Sequence, residues 1–415
     1  MSATIVVSQL GARMHYAVPR ILASQKSLGH FYTDICATKG WPKFVSRIPS
    51  SLLPAALRRL VGRRVPAEVP CELMTVFPTF GLRSGVRRLR VTNTSEETSH
   101  AIWAGTTFSR LVSRSGFHGA VGLYAFSGDA LEQMRAARRQ GMWTAVEQMI
   151  APRDVLEELM LAERQRFPQW EGAALRDPLD KIFAARERAE WRLADRIICP
   201  SDFVAGHVIA GGTPCEKCIV VPYGVDPTFQ RDTGIRKPGP LRVLVVGAVG
   251  LRKGSPYILE AASRLKGSAV FRMAGATKLS ASVRSDLARH IELRGIVPRA
   301  GIHDEYRWAD VFLLPSLCEG SATVVYEALA AGLPVITTEN TGSVVRHGVE
   351  GLVVPIRDGE AIAAAIDLMA SNDALRRMMG ENAVERARAF TVARYGERLL
   401  AALSNLPPER SKTAT

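Results

Sequence analysis

The stretch from residue 309 to residue 334 constrains the fold more than any other part of the sequence. It reads ADVFLLPSLCEGSATVVYEALAAGLP. The apolar run Val311–Leu314 predicts a short buried strand. A turn of small residues follows at 317–321, and the helical pattern of 322–331 ends before Gly332. A strand, a tight turn and a helix in this order are typical of a parallel α/β sheet.

Two carboxylates flank the start of this predicted helix. Glu319 precedes it, and Glu327 follows Glu319 after seven intervening residues. The backbone N–H groups of a helix N-terminus bind phosphate. Glu327 lies roughly one and two-thirds turns beyond Ser321, on the flank that faces a ligand at the helix start. A carboxylate there can bridge the vicinal hydroxyls of a ribose, although an ordinary strand–helix unit with two surface glutamates would show the same spacing.

The wider run resembles the retaining glycosyltransferases of the GT-B type, family 4. Their signature is a Glu–seven residues–Glu element after Pro-Ser, which this sequence carries from Pro315 onward. The match continues through residues 332–338 and 347–355. The resemblance implies an α/β protein of the GT-B fold, in which two Rossmann-like, doubly wound domains face a cleft.

Predicted strands alternate with helical segments along the rest of the chain, as this architecture requires. The resemblance implies that residues 1–226 form an acceptor-binding domain and residues 238–390 a nucleotide-sugar-binding domain. The polar segment 230–240, which contains Pro and Gly, is typical of a linker. The helix expected at 391–403 packs back on the first domain. The other predicted strands are 5–9, 120–128, 142–148, 196–201, 241–247 and 271–275.

The turn after the strand at 241–247 carries two adjacent cations, Arg252 and Lys253. A diphosphate leaving group needs positive charge, because charge builds on the phosphate as the C–O bond breaks. We therefore expect Lys253 and Arg252 to act as catalytic residues that neutralise a diphosphate. A solvent-exposed loop is the alternative interpretation. Family members commonly carry Arg directly after the first glycine of this turn, where this chain has Ala248.

The resemblance implies further roles in the second domain. Glu319 is expected to hold the donor sugar's hydroxyls as a catalytic residue, and Glu327 to hold the ribose. Residues 301–305 resemble the family's Gly-x-Val loop beside the base, so His303 is a candidate neighbour of the base, with a surface histidine as the alternative. The other expected nucleotide contacts are Gly247, Gly275 and the backbone of Gly320, Ser321, Ala322 and Thr323.

In the first domain, the ligand-facing edge is expected at the turn after the strand 5–9. The resemblance implies that Gly11 approaches the donor phosphates or the acceptor, and Arg13 is a further candidate. Many family members place a His at the end of a later strand, where this chain has Glu147 and Gln148. Glu147 is the candidate for a sugar hydroxyl. A surface charge at Arg13 and a capping carboxylate at Glu147 are the alternatives.

Positive charge is concentrated in the first 150 residues. They hold 19 Lys and Arg against 8 Asp and Glu, which amounts to +11 of the net +14. The arginines cluster at 58–64 and 83–90, near an amphipathic stretch at 51–61. Such clusters bind anionic surfaces, including phospholipid membranes and pyrophosphate-bearing acceptors; a solvated basic face is the alternative. Nucleic acid is not an expected partner, because no binding motif or interleaved aromatic residues accompany the arginines.

The sequence also predicts a cytoplasmic location and no metal site. No apolar run approaches the roughly 18 to 20 residues of a membrane span, and residues 1–7 predict the start of a strand, not a signal peptide. The six cysteines are scattered and are expected to be reduced. The Cys-x-x-Cys at 215–218 has no second pair, and the chain contains no Asp-x-Asp motif. We expect a peripheral position at the inner face of the membrane, and no required cofactor.

These observations predict a metal-independent, retaining hexosyltransferase. It would move a sugar from a nucleotide-diphosphate sugar to a hydroxyl of a glycan or lipid-linked acceptor, in cell-surface polysaccharide assembly. Two other classes remain open: a nucleotide-sugar 2-epimerase of the same fold, and a non-catalytic descendant that binds carbohydrate or membrane. An epimer formed from the donor without acceptor would identify the first. Full cellular function of a Glu327→Ala variant would identify the second.

Overall fold

The computed structural model describes residues 4–49, 52–172, 175–225, 239–404 and 406. These residues form two parallel β-sheets, each flanked by helices, which confirms the prediction of two Rossmann-like domains. The domain ends at 226 and 238, and most of the linker at 230–240, lie outside the described residues. The domain boundaries therefore stay a prediction.

Thirteen strands are assigned among the described residues, and the two sheets divide them at the linker. The first sheet contains β1 (Ile5–Gln9), β2 (Leu28–Thr33), β3 (Met74–Val76), β4 (Gly122–Phe126), β5 (Trp143–Glu147), β6 (Arg196–Cys199) and β7 (Cys218–Val220). The second sheet contains β8 (Leu241–Val246), β9 (Ala269–Ala274), β10 (Ile291–Gly295), β11 (Val311–Leu314), β12 (Val335–Thr337) and β13 (Gly351–Val353).

Helices connect the strands and cover both sheets. In the first half they are α1 (Ala17–Ser24), α2 (Pro42–Val45), α3 (Ala55–Val61), α4 (Pro78–Leu89), α5 (Thr94–Ser115), α6 (Leu131–Arg139), α7 (Arg153–Arg166), α8 (Pro168–Glu171), α9 (Pro178–Leu193) and α10 (Asp202–Ala210). In the second half they are α11 (Ser255–Arg264), α12 (Ala281–Ala288), α13 (Arg299–Trp308), α14 (Thr323–Ala330), α15 (Gly359–Ser371), α16 (Asp373–Arg388) and α17 (Val392–Ser404). Among the described residues, none of these helices combines the length and the apolar character needed to cross a bilayer.

The strand order places a topological switch point in each sheet. The first sheet runs β3-β2-β1-β4-β5-β6-β7 and the second runs β10-β9-β8-β11-β12-β13. The direction of winding reverses between β1 and β4, and again between β8 and β11. Ligands of doubly wound sheets bind in the crevice outside the carboxyl ends of the strands at such a point. The turns that follow β8 and β11 are therefore where a ligand of the second domain is expected.

Burial explains why the short apolar runs could be recognised in the sequence. All five residues of β1 and all four residues of β11 are buried, as strands covered by helices on both faces must be. Both strands have the predicted bounds. The helix expected at 322–331 is observed as α14, one residue shorter at each end.

The last helix packs on the first domain, although it follows the second domain in sequence. Tyr395 and Leu399 of α17 belong to the same buried cluster as Val7 of β1. The chain segment that reaches this helix lies beside the segment that leaves the first sheet, because the N–H of Val225 donates to the carbonyl of Phe390 at 2.9 Å. The two chain segments that pass from one domain to the other therefore lie side by side.

Helices α7 and α8 of the first half also contact the second domain, which was not predicted from the sequence. Met160 and Trp170 belong to the core of the second domain. Glu163, also in α7, accepts a hydrogen bond from the Tyr257 hydroxyl at 2.8 Å. It also forms an ion pair with Arg357 at 2.5 Å. These buried contacts attach part of the first half of the chain to the second sheet.

We predict that Gly275→Ala lowers the free energy of unfolding by about 1–3 kcal/mol, the usual cost of overpacking. The change is measured as a lower midpoint of urea denaturation. A Cβ at this position would lie 1.7 Å from the carbonyl oxygen of Gly247, so backbone would have to move. The matched control is Gly206→Ala in α10, where a Cβ meets nothing within 4 Å. That change should raise the midpoint slightly, since Ala favours a helix by about 0.8–1.0 kcal/mol over Gly. Equal midpoints for the two variants would contradict the prediction.

Candidate functional site

Two turns meet at the switch point of the second sheet. The turn after β8 contains a short 3-10 helix, Leu251–Lys253, and the turn after β11 spans 315–322. The N–H of Leu317 donates to the carbonyl of Arg252 at 2.9 Å, which joins the two turns directly. Gly254 adopts φ +71° against the carbonyl of Pro315, where a Cβ would lie 2.3 Å away. The backbone therefore brings the predicted cations next to the first carboxylate of the motif.

Glu319, Arg252 and Lys253 form an ion cluster at this point. One carboxylate oxygen of Glu319 accepts from Arg252 Nη1 at 2.5 Å and from Lys253 Nζ at 2.7 Å. The side chains of Lys253 and Glu319 are 11% and 13% exposed, whereas that of Arg252 is 37% exposed. Burial acts to raise the pKa of Glu319, but Lys253 and Arg252 outweigh it and hold this pKa below its usual value. The carboxylate is therefore ionised and fixes both cations.

The helix start beside this cluster has unpaired donors. Among the described residues, the backbone N–H groups at 320–323 donate no hydrogen bond to a protein acceptor. The helix-capping position, Ala322, provides no side-chain acceptor. The Ser321 hydroxyl is paired with the Tyr326 hydroxyl at 2.6 Å and leaves the N–H groups open. Free N–H groups and the positive end of a helix dipole make this a site that favours an anion.

Glu327 lies on the side of α14 that packs against α13. Its carboxylate accepts from the Tyr306 hydroxyl at 2.9 Å. Burial raises the pKa of Glu327, while Tyr306, Arg299 and His303 oppose that shift. Tyr306 was not among the predicted site residues, because nothing in the local sequence indicates which helix would face Glu327. It donates to one carboxylate oxygen, and among the described residues no hydrogen bond to the other oxygen is observed.

The prediction of a loop at 301–305 is wrong, because these residues lie inside α13. The side chain of Glu305 attaches this helix to the second sheet. Its carboxylate is buried and accepts from Arg272 at 3.0 Å and from Arg294 at 2.9 Å. His303 is half-buried on the same helix and acts on the Glu327 carboxylate electrostatically. It is therefore placed on the Glu327 side of the site.

The two glycines named as nucleotide contacts lie under the ion cluster. Gly247 follows β8, and a Cβ there would lie 3.1 Å from Lys253 Cε. Gly275 follows β9, and its N–H donates to the carbonyl of Gly295 at 2.8 Å. Both positions face the carboxyl edge of the sheet, where the crevice is.

Gly320 is also where the two domains touch. A Cβ at Gly320 would lie 1.8 Å from the carbonyl oxygen of Met149, in the loop after β5. The Ser201 hydroxyl, at the start of α10, donates to the Gly320 carbonyl at 2.5 Å. The signature turn therefore meets the first domain through backbone, which requires glycine at this position. Neither Met149 nor Ser201 was predicted from the sequence to contact this turn.

Glu147 lies at the floor of a cavity of about 220 Å³ in the first domain. It is buried, and it accepts from the hydroxyls of Tyr124 at 2.5 Å and Tyr223 at 2.7 Å. Burial raises its pKa, although both tyrosines act against the shift. The neighbouring Gln148 is instead bonded to Glu187 and Trp191 inside the core. Of the two polar residues at this strand end, Glu147 lines this cavity and Gln148 is bonded within the core.

Arg13 lines the same cavity and lies 5.6 Å above the Phe126 ring. Its guanidinium is 3.9 Å from the Asp129 carboxylate. Gly11 has φ +73° and donates its N–H to Asp34 at 3.1 Å, which shapes the turn that carries Arg13. The structure thus groups Arg13 with Glu147.

A contact from this turn reaches across the cleft. His15 follows Arg13 and has φ +51°, an unusual conformation for a residue other than glycine. Its Nε2 lies 2.8 Å from Arg299 Nη1, at the start of α13. This contact brings the turn that carries Arg13 next to the start of α13 in the second domain.

The cysteines form no metal or disulfide site among the described residues. All six are free, and no group of three His, Cys, Asp or Glu there is placed to hold a metal ion. In the Cys-x-x-Cys pair, Cys215 is exposed and Cys218 lies at the start of β7. Cys318 is buried in the signature turn.

Comparison with known families finds one match to a family model. Residues 240–372 match the model of the glycosyl transferases group 1. This range contains the ion cluster and α14. It covers the second sheet and leaves the whole of the first sheet unmatched.

The similar curated proteins include glycosyltransferases named for polysaccharide or lipopolysaccharide biosynthesis. The putative colanic acid biosynthesis glycosyltransferase WcaL of Salmonella typhimurium is 32% identical over 183 residues, 40% of this chain and 45% of that protein. The amylovoran biosynthesis glycosyltransferase AmsK of Erwinia amylovora is 32% identical, with the same coverage. The lipopolysaccharide core biosynthesis glycosyltransferase LpsE of Rhizobium meliloti is 31% identical over 34% of this chain and 43% of that protein. The matched region spans less than half the length of each relative.

Solved structures match over nearly the whole chain. Anabaena Alr3699/HepE in complex with UDP superposes with a TM-score of 0.61 at 14% identity, covering 97% of this chain and all of that one. Sucrose-phosphate synthase from Thermosynechococcus elongatus gives a TM-score of 0.63 at 16% identity, covering 97% and 98%. These similarities show the GT-B fold.

Proposed function

We propose that this chain is a glycosyltransferase that moves a sugar from a nucleotide-diphosphate sugar to a hydroxyl acceptor in cell-surface polysaccharide assembly. The observation that carries the proposal is the cluster of Glu319, Arg252 and Lys253 beside open N–H groups at a topological switch point. The second-domain match to glycosyl transferases group 1 supports it. So do the relatives, which are glycosyltransferases of colanic acid, amylovoran and lipopolysaccharide core biosynthesis.

The donor's diphosphate would bind at the start of α14. The open N–H groups at 320–323 would donate to phosphate oxygens, while Lys253 and Arg252 would offset the negative charge. Among the described residues, both recorded partners of Glu319 contact the same oxygen. The other carboxylate oxygen would accept from a hydroxyl of the donor sugar.

The nucleoside would extend from the diphosphate toward α13. Glu327 would hold the ribose hydroxyls, with its carboxylate oriented by Tyr306. Ribose hydroxyls donate well to a carboxylate, since hydrogen bonds to charged groups contribute about 1.5–3 kcal/mol. His303 and Arg299 lie on the same helix and would border the base. UDP is bound by the solved neighbour HepE, so uridine is the first nucleotide to test.

The acceptor would enter from the first domain. The cavity over Glu147 faces the carboxyl edge of the first sheet and is lined by Arg13 and Tyr223. Glu147 would accept from an acceptor or donor sugar hydroxyl. Gly11 would bring backbone close to the same ligand.

Transfer would proceed with retention, as in the family 4 enzymes. The bond from the anomeric carbon to the diphosphate oxygen breaks, and the acceptor oxygen bonds to that carbon on the same face. The acceptor's proton passes to the departing diphosphate, so no protein nucleophile is needed. The charge of the leaving group is offset by Lys253, Arg252 and the helix start. We propose that this arrangement operates without a divalent metal or other cofactor, so EDTA should leave the rate unchanged.

We also propose that the enzyme works in the cytoplasm at the inner face of the membrane. The concentration of basic residues in the first 150 residues supports a position next to an anionic surface. A lipid-linked or membrane-proximal glycan acceptor would be reached from that position.

The proposed function is tested by thermal shift with UDP-, GDP- and ADP-sugars. We expect one of them to raise the melting temperature of the wild-type protein, because saturation at 100 times Kd stabilises by about 2.7 kcal/mol. Glu327→Ala should reduce that shift, corresponding to a roughly 10- to 100-fold weaker Kd from losing charged hydrogen bonds. Glu381→Ala, an exposed carboxylate in α16, is the control and should behave as wild type.

Two outcomes would contradict the assignment. If no nucleotide sugar stabilises the wild-type protein, the proposed donor site is wrong. If the donor is converted into its epimer in the absence of acceptor, the activity is that of a 2-epimerase. Product analysis of the same incubation separates transfer from epimerisation.

A further inference from the structure

One contact of the turn after β8 comes from the first half of the chain. The backbone N–H of Leu251 donates to a carboxylate oxygen of Glu171 at 2.6 Å, across 80 residues of sequence. Leu251 is the first residue of the 3-10 helix that contains Arg252 and Lys253. Glu171 is the last residue of α8 and was not a predicted site residue. The two cations proposed to meet the diphosphate therefore follow directly after a backbone group that a distant side chain holds.

Glu171 supports the middle of this turn independently of the signature turn. Short-range hydrogen bonds within residues 250–255 close the turn on itself. Among the described residues, two contacts from other segments hold its middle. Glu171 accepts from the Leu251 N–H. The N–H of Leu317, in the signature turn, donates to the carbonyl of Arg252 at 2.9 Å. The contact with Glu171 is therefore a separate support for the backbone that carries the cations.

The glycine before the 3-10 helix makes room for this carboxylate. A Cβ at Gly250 would collide with the same oxygen of Glu171 that accepts from Leu251. The backbone of Gly250 is extended, with φ 171° and ψ −177°, and does not itself require glycine. The close approach of Glu171 therefore explains why a residue without a side chain is needed at this position.

Helix α8 is fixed to the second domain by apolar contacts. Trp170 is 5% exposed and belongs to the core of that domain. The Phe167 ring packs edge-on against the Tyr257 ring of α11, with 5.5 Å between the centroids. None of these contacts involves the Glu171 side chain, which is exposed. Removing the carboxylate should therefore leave the fold intact, as is usual for surface substitutions.

We propose that Glu171 is a positioning residue for sugar transfer. Its carboxylate holds the Leu251 N–H, so that Arg252 and Lys253 are already in place when the diphosphate binds. Charges placed in advance stabilise a leaving group well, because nothing has to reorganise at the moment of reaction. The inference rests on the proposed function, since Glu171 acts through the cations of that donor site.

A competing interpretation treats the carboxylate as a substitute for a phosphate oxygen of the donor. In that case Glu171 would leave the Leu251 N–H when the donor binds, and its charge would oppose binding. The apolar attachment of α8 to the same domain as the turn favours positioning, because the carboxylate then moves together with the turn. Two substitutions separate the interpretations: Glu171→Gln keeps an acceptor oxygen and removes the charge, whereas Glu171→Ala removes both.

The first test is steady-state transfer by folded variants with the wild-type melting temperature. Glu171→Ala should lower kcat about tenfold with KM for the acceptor unchanged, since a displacement of about 1 Å can cost up to 10²-fold. Glu171→Gln should stay within about threefold of the wild-type kcat, because its oxygen still accepts from Leu251. The matched control is Glu158→Ala, an exposed carboxylate on α7, which should have the wild-type rate. A Glu171→Ala protein with the wild-type kcat would overturn the inference.

A double substitution shows whether Glu171 acts through the cations. In a Lys253→Met background, Glu171→Ala should cost less than about threefold, because one of the groups that it positions is already absent. A general weakening of the structure would instead give the same loss in both backgrounds. An equal tenfold loss in both would therefore reject positioning.

Binding of inorganic pyrophosphate tests the same turn without any transfer. Glu171→Ala should weaken this binding about threefold or more, while Glu171→Gln should bind as wild type. Tighter binding by both variants would establish competition instead of positioning, and equal binding by all three proteins would show that the turn does not need Glu171. If the wild-type protein binds pyrophosphate but transfers no sugar, the proposed function fails and this comparison still decides the role of Glu171. An absence of wild-type pyrophosphate binding would reject both.

Discussion

Replacing Glu319 with glutamine is expected to lower kcat by about 10²- to 10³-fold, the size of effect seen when one preorganised electrostatic group is removed. The carboxylate accepts from Arg252 at 2.5 Å and from Lys253 at 2.7 Å. An amide of the same shape carries no charge, so the two adjacent cations would repel each other and leave their positions. The expected loss is in transfer from donor to acceptor, measured as initial rates at saturating donor.

The control for this change is Glu339→Gln, an exposed carboxylate of the same domain, which should retain wild-type kcat. The melting temperature of each variant shows whether it is folded. A folded Glu319→Gln protein with a rate within about threefold of wild type would contradict the proposed role, because that ratio corresponds to less than 1 kcal/mol.

Replacing Lys253 with methionine is expected to lower kcat by about 10³-fold and to weaken donor binding as well. Lys253 is only 11% exposed, so its charge acts on the diphosphate with little screening by water. Methionine keeps an apolar stem that can still pack over Gly247 but offers no charge to the leaving group. Arg252→Met should cost less, since this guanidinium is 37% exposed and water screens it more.

Lys266→Met, an exposed lysine at the end of α11, is the matched control and should have the wild-type rate. The double variant Glu319→Gln/Lys253→Met should lose less activity than the product of the two single losses. Groups that act as one unit are not additive, and these two share a contact. Full additivity would show that the two residues act independently and would reject the ion cluster as a unit.

The strand positions could be predicted because they depend on short-range information. β11 is a run of four apolar residues that is buried on both faces, and its bounds match the expected 311–314. β1 matches the expected 5–9 in the same way. In a parallel sheet covered by helices, burial requires an uninterrupted apolar run, and such a run is visible without knowledge of the rest of the fold.

The segment 301–305 shows where the family resemblance was misleading. It was expected to be a loop from that resemblance, and it is part of α13. Two arginines from β9 and β10 bind the buried carboxylate of Glu305, and Tyr306 stacks near Phe312 at 5.9 Å. These contacts come from other strands of the sheet, and they hold the segment as a helix against it.

The contacts between the domains could not be predicted from the sequence. Ser201 reaches the Gly320 carbonyl across 119 residues of chain, and Glu171 accepts from the Leu251 N–H at 2.6 Å across 80 residues. Their existence depends on how one sheet is placed against the other. No local pattern reports that placement, because both partners lie in turns or at helix ends of ordinary composition.

The sequence by itself determined the buried strands β1, β8 and β11 and the residue types that follow β8 and β11. Each of these depends on residues close to one another along the chain. The tertiary structure alone decided that Glu319 pairs with both cations, that Tyr306 orients Glu327, and that Glu147 lines a cavity while Gln148 is bonded within the core. The physical reason is that burial and charge pairing act between side chains brought together at the switch points, and those side chains come from distant segments of the chain.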